Sequence, residues 1–263
     1  MYIEWSPKET WLHQINPSLK LLVIISLFTV MLLIDDLNYL FSFTIAVLLL
    51  FILFTGHPFK RILLFSIPFF VVFVSTSFTM ILFGKGETTI LKFGLIHITE
   101  ESFYRGLLVG LRALATAALG LTFALTTKPV LLFYSLMQQM KLRPAYAYSF
   151  MAAMRMLPIM AEEFQTIRHA RKVRGWEGKK GAGGFFRKIS AYSIPLLSQS
   201  IRRAHRIAVA MEAKRFRMAG QRTYYYQTGF SWNDVLFIGY FLVVLAAGYY
   251  FSAEWPYFKQ VNF

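Results

Sequence analysis

Apolar runs of a length suited to a bilayer constrain this chain more than any other feature. Five blocks, at residues 19–34, 37–55, 62–83, 103–126 and 235–251, carry almost no charge. About 20 apolar residues in helical form cross a hydrocarbon core, so each block reads as a membrane-spanning helix. The first is the shortest. Asp35-Asp36 closes it, and Gly56-His57-Pro58 closes the second. Pro68 lies inside the third, where a membrane helix tolerates it if neighbours satisfy the freed carbonyl. The first block does not read as a cleavable leader. Glu4 and Glu9 precede it in place of a basic stretch, and no small-x-small site follows.

Charge is distributed as unevenly as hydropathy. The chain is 56% hydrophobic and only 16% charged, yet its formal net charge is +15. Residues 128–222 hold 19 Lys and Arg against 4 Asp and Glu, which accounts for the whole excess. A basic loop of this kind is most simply cytoplasmic. Counting spans from it places the N-terminus and the Lys60-Arg61 turn inside. Asp35-Asp36, residues 84–101 and the C-terminal tail then lie outside. The expected division is a four-helix membrane region at 1–127, a basic cytoplasmic region at 128–230, and a last span with its tail at 231–263.

The basic region has helical periodicity. Leu157, Met160, Phe164 and Ile167 recur at 3-4-3 spacing, and so do Ile194, Leu197, Ile201, Ala204, Ala208 and Met211. Both stretches read as amphipathic helices with narrow apolar seams, lying on the membrane or against one another. Residues 178–184 (GKKGAGG) separate them as a joint. The two also look like a degenerate repeat. One opens Leu157-Pro158-Ile159 and the other Ile194-Pro195-Leu196, with proline expected in a first turn. Their endings, Val173-Arg174-Gly175-Trp176 and Ala213-Lys214-Arg215-Phe216, stand 40 residues apart. Two similar basic ends suit two similar sockets. They also suit ordinary helix C-termini, where cations favour the dipole and Gly175 caps.

An ordered series of motifs over nearly the whole chain resembles the transmembrane (T) component of energy-coupling factor (ECF) transporters. Ser6-Pro7, His13, Asn16-Pro17 and Lys20 are similar to that family's opening. Thr126-Thr127-Lys128-Pro129 is similar to its entry to the cytoplasmic region. Pro144, Arg155, Pro158 and Glu162-Glu163 resemble its first coupling helix, which ends in the X-R-G motif at Val173, Arg174 and Gly175. The second motif departs from Ala-Arg-Gly. Ala213 is followed by Lys214 at the Arg position and Arg215 at the Gly position, and either cation remains a candidate.

The resemblance implies an all-α polytopic membrane protein with long amphipathic coupling helices. It also implies two ABC ATPase partners docked at the two motifs, and a substrate-binding S component for a vitamin, its precursor or a metal ion. It implies no cofactor, and no catalysis in this chain. Gly106 and Gly110 form a small-xxx-small pattern for close helix packing, internal or with the S component. Arg112 lies within the same span, where it either binds an internal acid or takes part in coupling.

Other readings are weaker. Gly84-Lys85-Gly86-Glu87-Thr88 lacks the P-loop's earlier glycine, Thr79 standing in its place, so nucleotide binding is rejected. The five histidines show no ligand spacing and there is no cysteine, so a metal site is not expected. Glu162-Glu163 read as partners of cations one turn along their own helix rather than as an acid/base couple. A membrane-anchored binder of anionic lipid or nucleic acid would explain the charge but not the repeated ends, and nucleic acid is not an expected partner. A conventional ABC permease subunit usually carries one coupling helix, and this chain has two.

Overall fold

The structure is a computed structural model that describes residues 9–84, 88–93, 96–175, 182–216, 223–254 and 257–258. It divides into two compact units, Met1–Ser135 with Thr228–Phe263, and Leu136–Gln227. Ser6-Pro7, residues 85–87, Trp176, Gly178 with residues 179–181, and Arg222 lie outside the described residues.

The first unit is a bundle of apolar helices. A short α1 (Trp11–Gln14) leads to α2 (Pro17–Leu33), where Asn16 caps the N-terminus by accepting from the Ser18 N–H and Pro17 occupies the first turn. Asp36 caps α3 (Leu37–Phe54), accepting from the amides of Asn38 and Tyr39. Next come α4 (Phe59–Phe83), β1 (Thr89–Phe93), β2 (Ile96–Thr99) and α5 (Glu100–Thr126). Thr99 and Ser102 make a capping box at the start of α5, and Glu100 and Glu101 favour its positive end. α6 (Pro129–Gln139) follows, and α9 (Trp232–Glu254) returns to the bundle after the second unit.

Four helices are long and apolar enough to cross a membrane: α3, α4, α5 and α9. The fifth expected span, α2, has 17 residues. Its shortness has a structural counterpart. The turn after it is met by Arg112, midway along α5, which donates to the Ile34 carbonyl at 2.6 Å and to Asp35 at 3.2 Å. The turn also borders an open recess of about 500 Å³ lined by Asp35, Asp36, Tyr39, Tyr249 and Ser252.

α5 is the central packing element, against α4, α3 and α2. Gly106 and Gly110 face α4. A Cβ on Gly106 would come within 2.7 Å of Ile81 and 2.8 Å of the Ser77 carbonyl, and one on Gly110 would collide with the Ser77 hydroxyl. Small residues here let two backbones approach. The core gathers Leu40, Phe43, Val47, Leu111, Ala115, Leu119 and Phe237. Pro68 lies inside a continuous α4. The antiparallel pair β1–β2, with Phe93 opposite Ile96, is the one sheet among the described residues, and nothing in the apolar pattern announced it.

The second unit is built on α7 (Pro144–Val173) and α8 (Ala182–Ala213). Two expectations are corrected here. Pro158 and Pro195 do not open these helices; they lie inside them, 14 and 13 residues after the first. The helices extend upstream because Pro144 supplies a first turn for α7, and because Gly183-Gly184 join α8 instead of the joint. An interior proline costs about 3 kcal/mol in an isolated helix, a penalty that tertiary contacts must offset.

Candidate functional site

Two regions gather the residues singled out by sequence: a crossed helical pair in the second unit, and a buried polar knot in the first.

In the crossed pair, the Ser200 hydroxyl meets the Met160 sulfur at 3.0 Å, and Arg203 pairs with Glu163. The partner of Glu163 is thus a cation of the facing helix, not one a turn along its own. Both side chains are largely screened, at 29% and 18% exposed, in a helix pair that is otherwise open. Phe164 stacks on Tyr192 with centroids 5.2 Å apart, and the Arg171 guanidinium lies over the Tyr192 ring at 5.2 Å. Much of the two seams is uncovered. Leu157, Ile194, Leu197 and Ile201 are each at least 60% exposed.

Two of these contacts, Met160–Ser200 and Glu163–Arg203, join residues 40 positions apart, the same offset that separates the two helix ends. From Glu163 to Arg174, and from Arg203 to Lys214, is 11 residues in each case, so each arm is about 16 Å long at 1.5 Å per residue.

The tips match in backbone as well as in reach. After α7, Arg174 is the C-cap and Gly175 turns left-handed at φ +64°, its amide donating to the Lys172 carbonyl. After α8, Arg215 adopts φ +53° and donates to the Glu212 carbonyl, while Phe216 donates to Met211, a Schellman closure. Arg215 therefore holds the backbone role of Gly175, and Lys214 that of Arg174. Val173 is 87% exposed, and Arg174, Lys214 and Arg215 are exposed with it. Ala213 ends α8 as Val173 ends α7. The Phe216 ring turns back onto Tyr148 at 5.4 Å.

The knot explains the opening signature. Lys20 is 1% exposed, and its ammonium donates to the Leu12 carbonyl at 2.6 Å and to the Thr126 hydroxyl at 3.0 Å. It thereby closes the C-terminal ends of α1 and α5. Asn16 accepts from the hydroxyls of Ser18 and Ser135 and donates to the Gly229 carbonyl. Asp234, 2% exposed, takes the amides of Asn16 and Ser231 at 2.7 Å each. His13 forms a box with Thr10; burial, and then the Lys20 charge, lower its pKa below the ordinary 6.5. Lys128 reaches Glu9 at 2.8 Å in an exposed pair. Sequence reading did not find Ser135 or Asp234. Asp234 had a signal, as the isolated acid at the start of an apolar run. Among the described residues, no cluster of His, Asp and Glu could hold a metal.

Apolar helices flanking a buried polar knot, with a basic helix pair beside them in the sequence, define a multi-pass membrane protein. Residues 8–225 match the family described as cobalt transport protein, CbiQ, and the chain belongs to that family. It is similar to proteins named energy-coupling factor transporter transmembrane protein EcfT. The one from Macrococcus caseolyticus (strain JCSC5402) is 25% identical over 243 residues, covering 88% of this chain and 89% of that one. The Listeria innocua relative is 26% identical over 226 residues (82% and 84%), and that of Thermotoga maritima 26% over 265 residues (95% of each). The chain is a multi-pass protein of the bacterial cell membrane.

Proposed function

We propose that this chain is the non-catalytic coupling subunit of an ECF-type ABC importer. The α7–α8 pair and the N-terminus face the cytoplasm. Two ABC ATPases, or a dimer of one, grip its tips, and ATP-driven closure moves them as the two ends of a lever. The motion releases substrate from a membrane-embedded S component. That substrate is a vitamin, a precursor or a metal ion.

One observation carries this reading: two basic tips with the same left-handed cap, on arms of equal length from the Glu163–Arg203 contact. A pair of related ATPases offers two related sockets, and equal arms reach both. Arg174 suits a carboxylate in a partly dry groove, where a guanidinium pairs in two places. Lys214, by its backbone equivalence, takes the second socket with a single point charge. Val173 adds exposed apolar surface beside the first cation.

The test is affinity purification of the tagged chain from its native membrane in mild detergent. ABC ATPases and a small hydrophobic protein should co-elute. Arg174→Ala should reduce ATPase recovery about tenfold or more, since losing a charged anchor commonly costs 2 kcal/mol or above. If no ATPase appears even after crosslinking, the coupling reading fails, and the basic unit becomes a surface for anionic lipid or nucleic acid.

A further inference from the structure

An apolar groove in the bundle has the shape and charge of a phospholipid site. It lies between α3, α4 and α5, encloses about 260 Å³, and is walled by Phe51, Ile52, Phe59, Leu63, Phe70 and Leu114. Ser66 is the one hydroxyl in its lining, and it already donates to the Ile62 carbonyl, so the wall asks for no polar ligand.

Along α4 the lining runs from Phe59 to Phe70. Eleven steps of 1.5 Å give about 16 Å, which is close to half of a hydrocarbon core of roughly 30 Å. One end of the groove therefore sits at the membrane surface and the other near the midplane. The surface end carries the charge. Lys60 is exposed and Arg61 half-exposed, directly after Phe59 in the first turn of α4, and the loop before it holds His57. The Nδ1 atom of His57 is buried and makes no hydrogen bond.

We propose that this groove binds one acyl chain of an anionic phospholipid, with the phosphate held at Lys60 and Arg61. Length selects an acyl chain over a compact ligand. The two cations select an anionic headgroup over a zwitterionic one, at about fivefold per basic residue near the surface. The site is independent of the coupling reading, because it involves neither tip of the α7–α8 pair.

The experiment is mass spectrometry of the phospholipids retained by the full chain, with whatever subunits accompany it, after mild-detergent purification from native membrane. Phosphatidylglycerol or cardiolipin should be enriched over its bulk share. K60Q/R61Q should cut that enrichment by about tenfold or more while a chain-length preference persists. S66F, which fills the groove from its wall and leaves both cations in place, should displace the lipid altogether. K188Q, removing an exposed cation of the other unit, should change neither. Each variant is judged only as a monodisperse preparation, and two separate variants guard against one misfolding. Retention indifferent to both S66F and K60Q/R61Q would overturn the site. So would a photo-crosslinker at position 63 that captures a partner's helix and no lipid.

Discussion

The two units hold their shape by different means. In the bundle, α2, α3, α5 and α9 each have several residues sealed from solvent and α4 has two, and Lys20 is among the largest sealed side chains. In α7 the one buried residue is Ala147, and α8 has none among its described residues. A helix normally derives most of its stability from packing an apolar face. The bundle meets that rule with a core and a polar knot. The α7–α8 pair meets it with a few clasps and exposes much of its seam. The comparison teaches where rigidity resides. In the bundle it is spread through many contacts, whereas in the pair it is concentrated at one crossing.

The sharpest way to break the comparison is to remove the knot. Lys20→Ala leaves the Leu12 carbonyl and the Thr126 hydroxyl without their donor, and removes a buried cation from the neighbourhood of Asp234. Stripping one partner from a buried charged network costs about 3 to 5 kcal/mol. The bundle should lose most of its folded yield, read as a fall in thermal midpoint by size-exclusion chromatography after heating. A Lys20→Ala protein of unchanged midpoint would mean that the knot does not stabilise the bundle.

Breaking the crossing should cost less and spare the bundle. Glu163→Gln or Arg203→Gln leaves the other charge partly screened and unpaired, for about 1 to 3 kcal/mol within the second unit. The double reversal E163R/R203E should recover much of the loss, giving a coupling energy in a double-mutant cycle that neither single change explains. Hydrogen exchange in α7 and α8 should accelerate in each single variant, with α3 and α5 unchanged. In an active complex, ATP hydrolysis should persist while transport per ATP falls. Matching losses in both would make the pair a general fold contact and not a pivot.

How much of this was legible differs by unit for physical reasons. The membrane helices were visible because lipid rewards uninterrupted apolar runs, and sequence records those directly. The helical rhythm of Leu157 to Ile167 was visible because apolar residues three or four positions apart mark one face of a helix. What sequence did not record was partnership across space. Glu163 looked like a partner for its own helix, since i to i+4 spacing is all that one helix can display; its cation stands 40 residues away. Pro158 and Pro195 looked like helix starts, because proline is costly in an isolated interior. Their helices run through them in this fold. Asn16, Lys20 and Thr126 stood out as motif residues, but Ser135 and Asp234, which complete the knot, are 119 and 218 residues from Asn16.

The tips allow a finer test. Arg215 occupies a left-handed conformation that glycine adopts without a Cβ penalty, and that costs another residue about 1 kcal/mol. Arg215→Gly should therefore stabilise the end of α8 by about 1 kcal/mol, seen as slower amide exchange at Phe216 and Arg215's neighbours. It should also leave ATPase recovery nearly intact if Lys214 carries the contact. A loss of recovery equal to that of Arg174→Ala would transfer the role to Arg215.

The smallest expected effect belongs to pH, and it returns to the bundle. Burial and then the Lys20 charge lower the His13 pKa in the folded chain; the Glu9 carboxylate opposes that shift, and His57 and Lys128 add to it slightly. His57 is shifted the same way, by burial and then by Arg61. An unfolded imidazole takes its proton near 6.5, before the folded one does. Below that pH the unfolded state binds more protons, so stability should decline as pH falls through 6.5 toward the lower folded value. Partial solvent access keeps the effect modest. His13→Gln should flatten the decline between pH 7.5 and 5.5, and His57→Gln should flatten part of what remains. A wild-type midpoint that rises over that interval would reverse the sign, and would place the pH response in carboxylates elsewhere in the bundle.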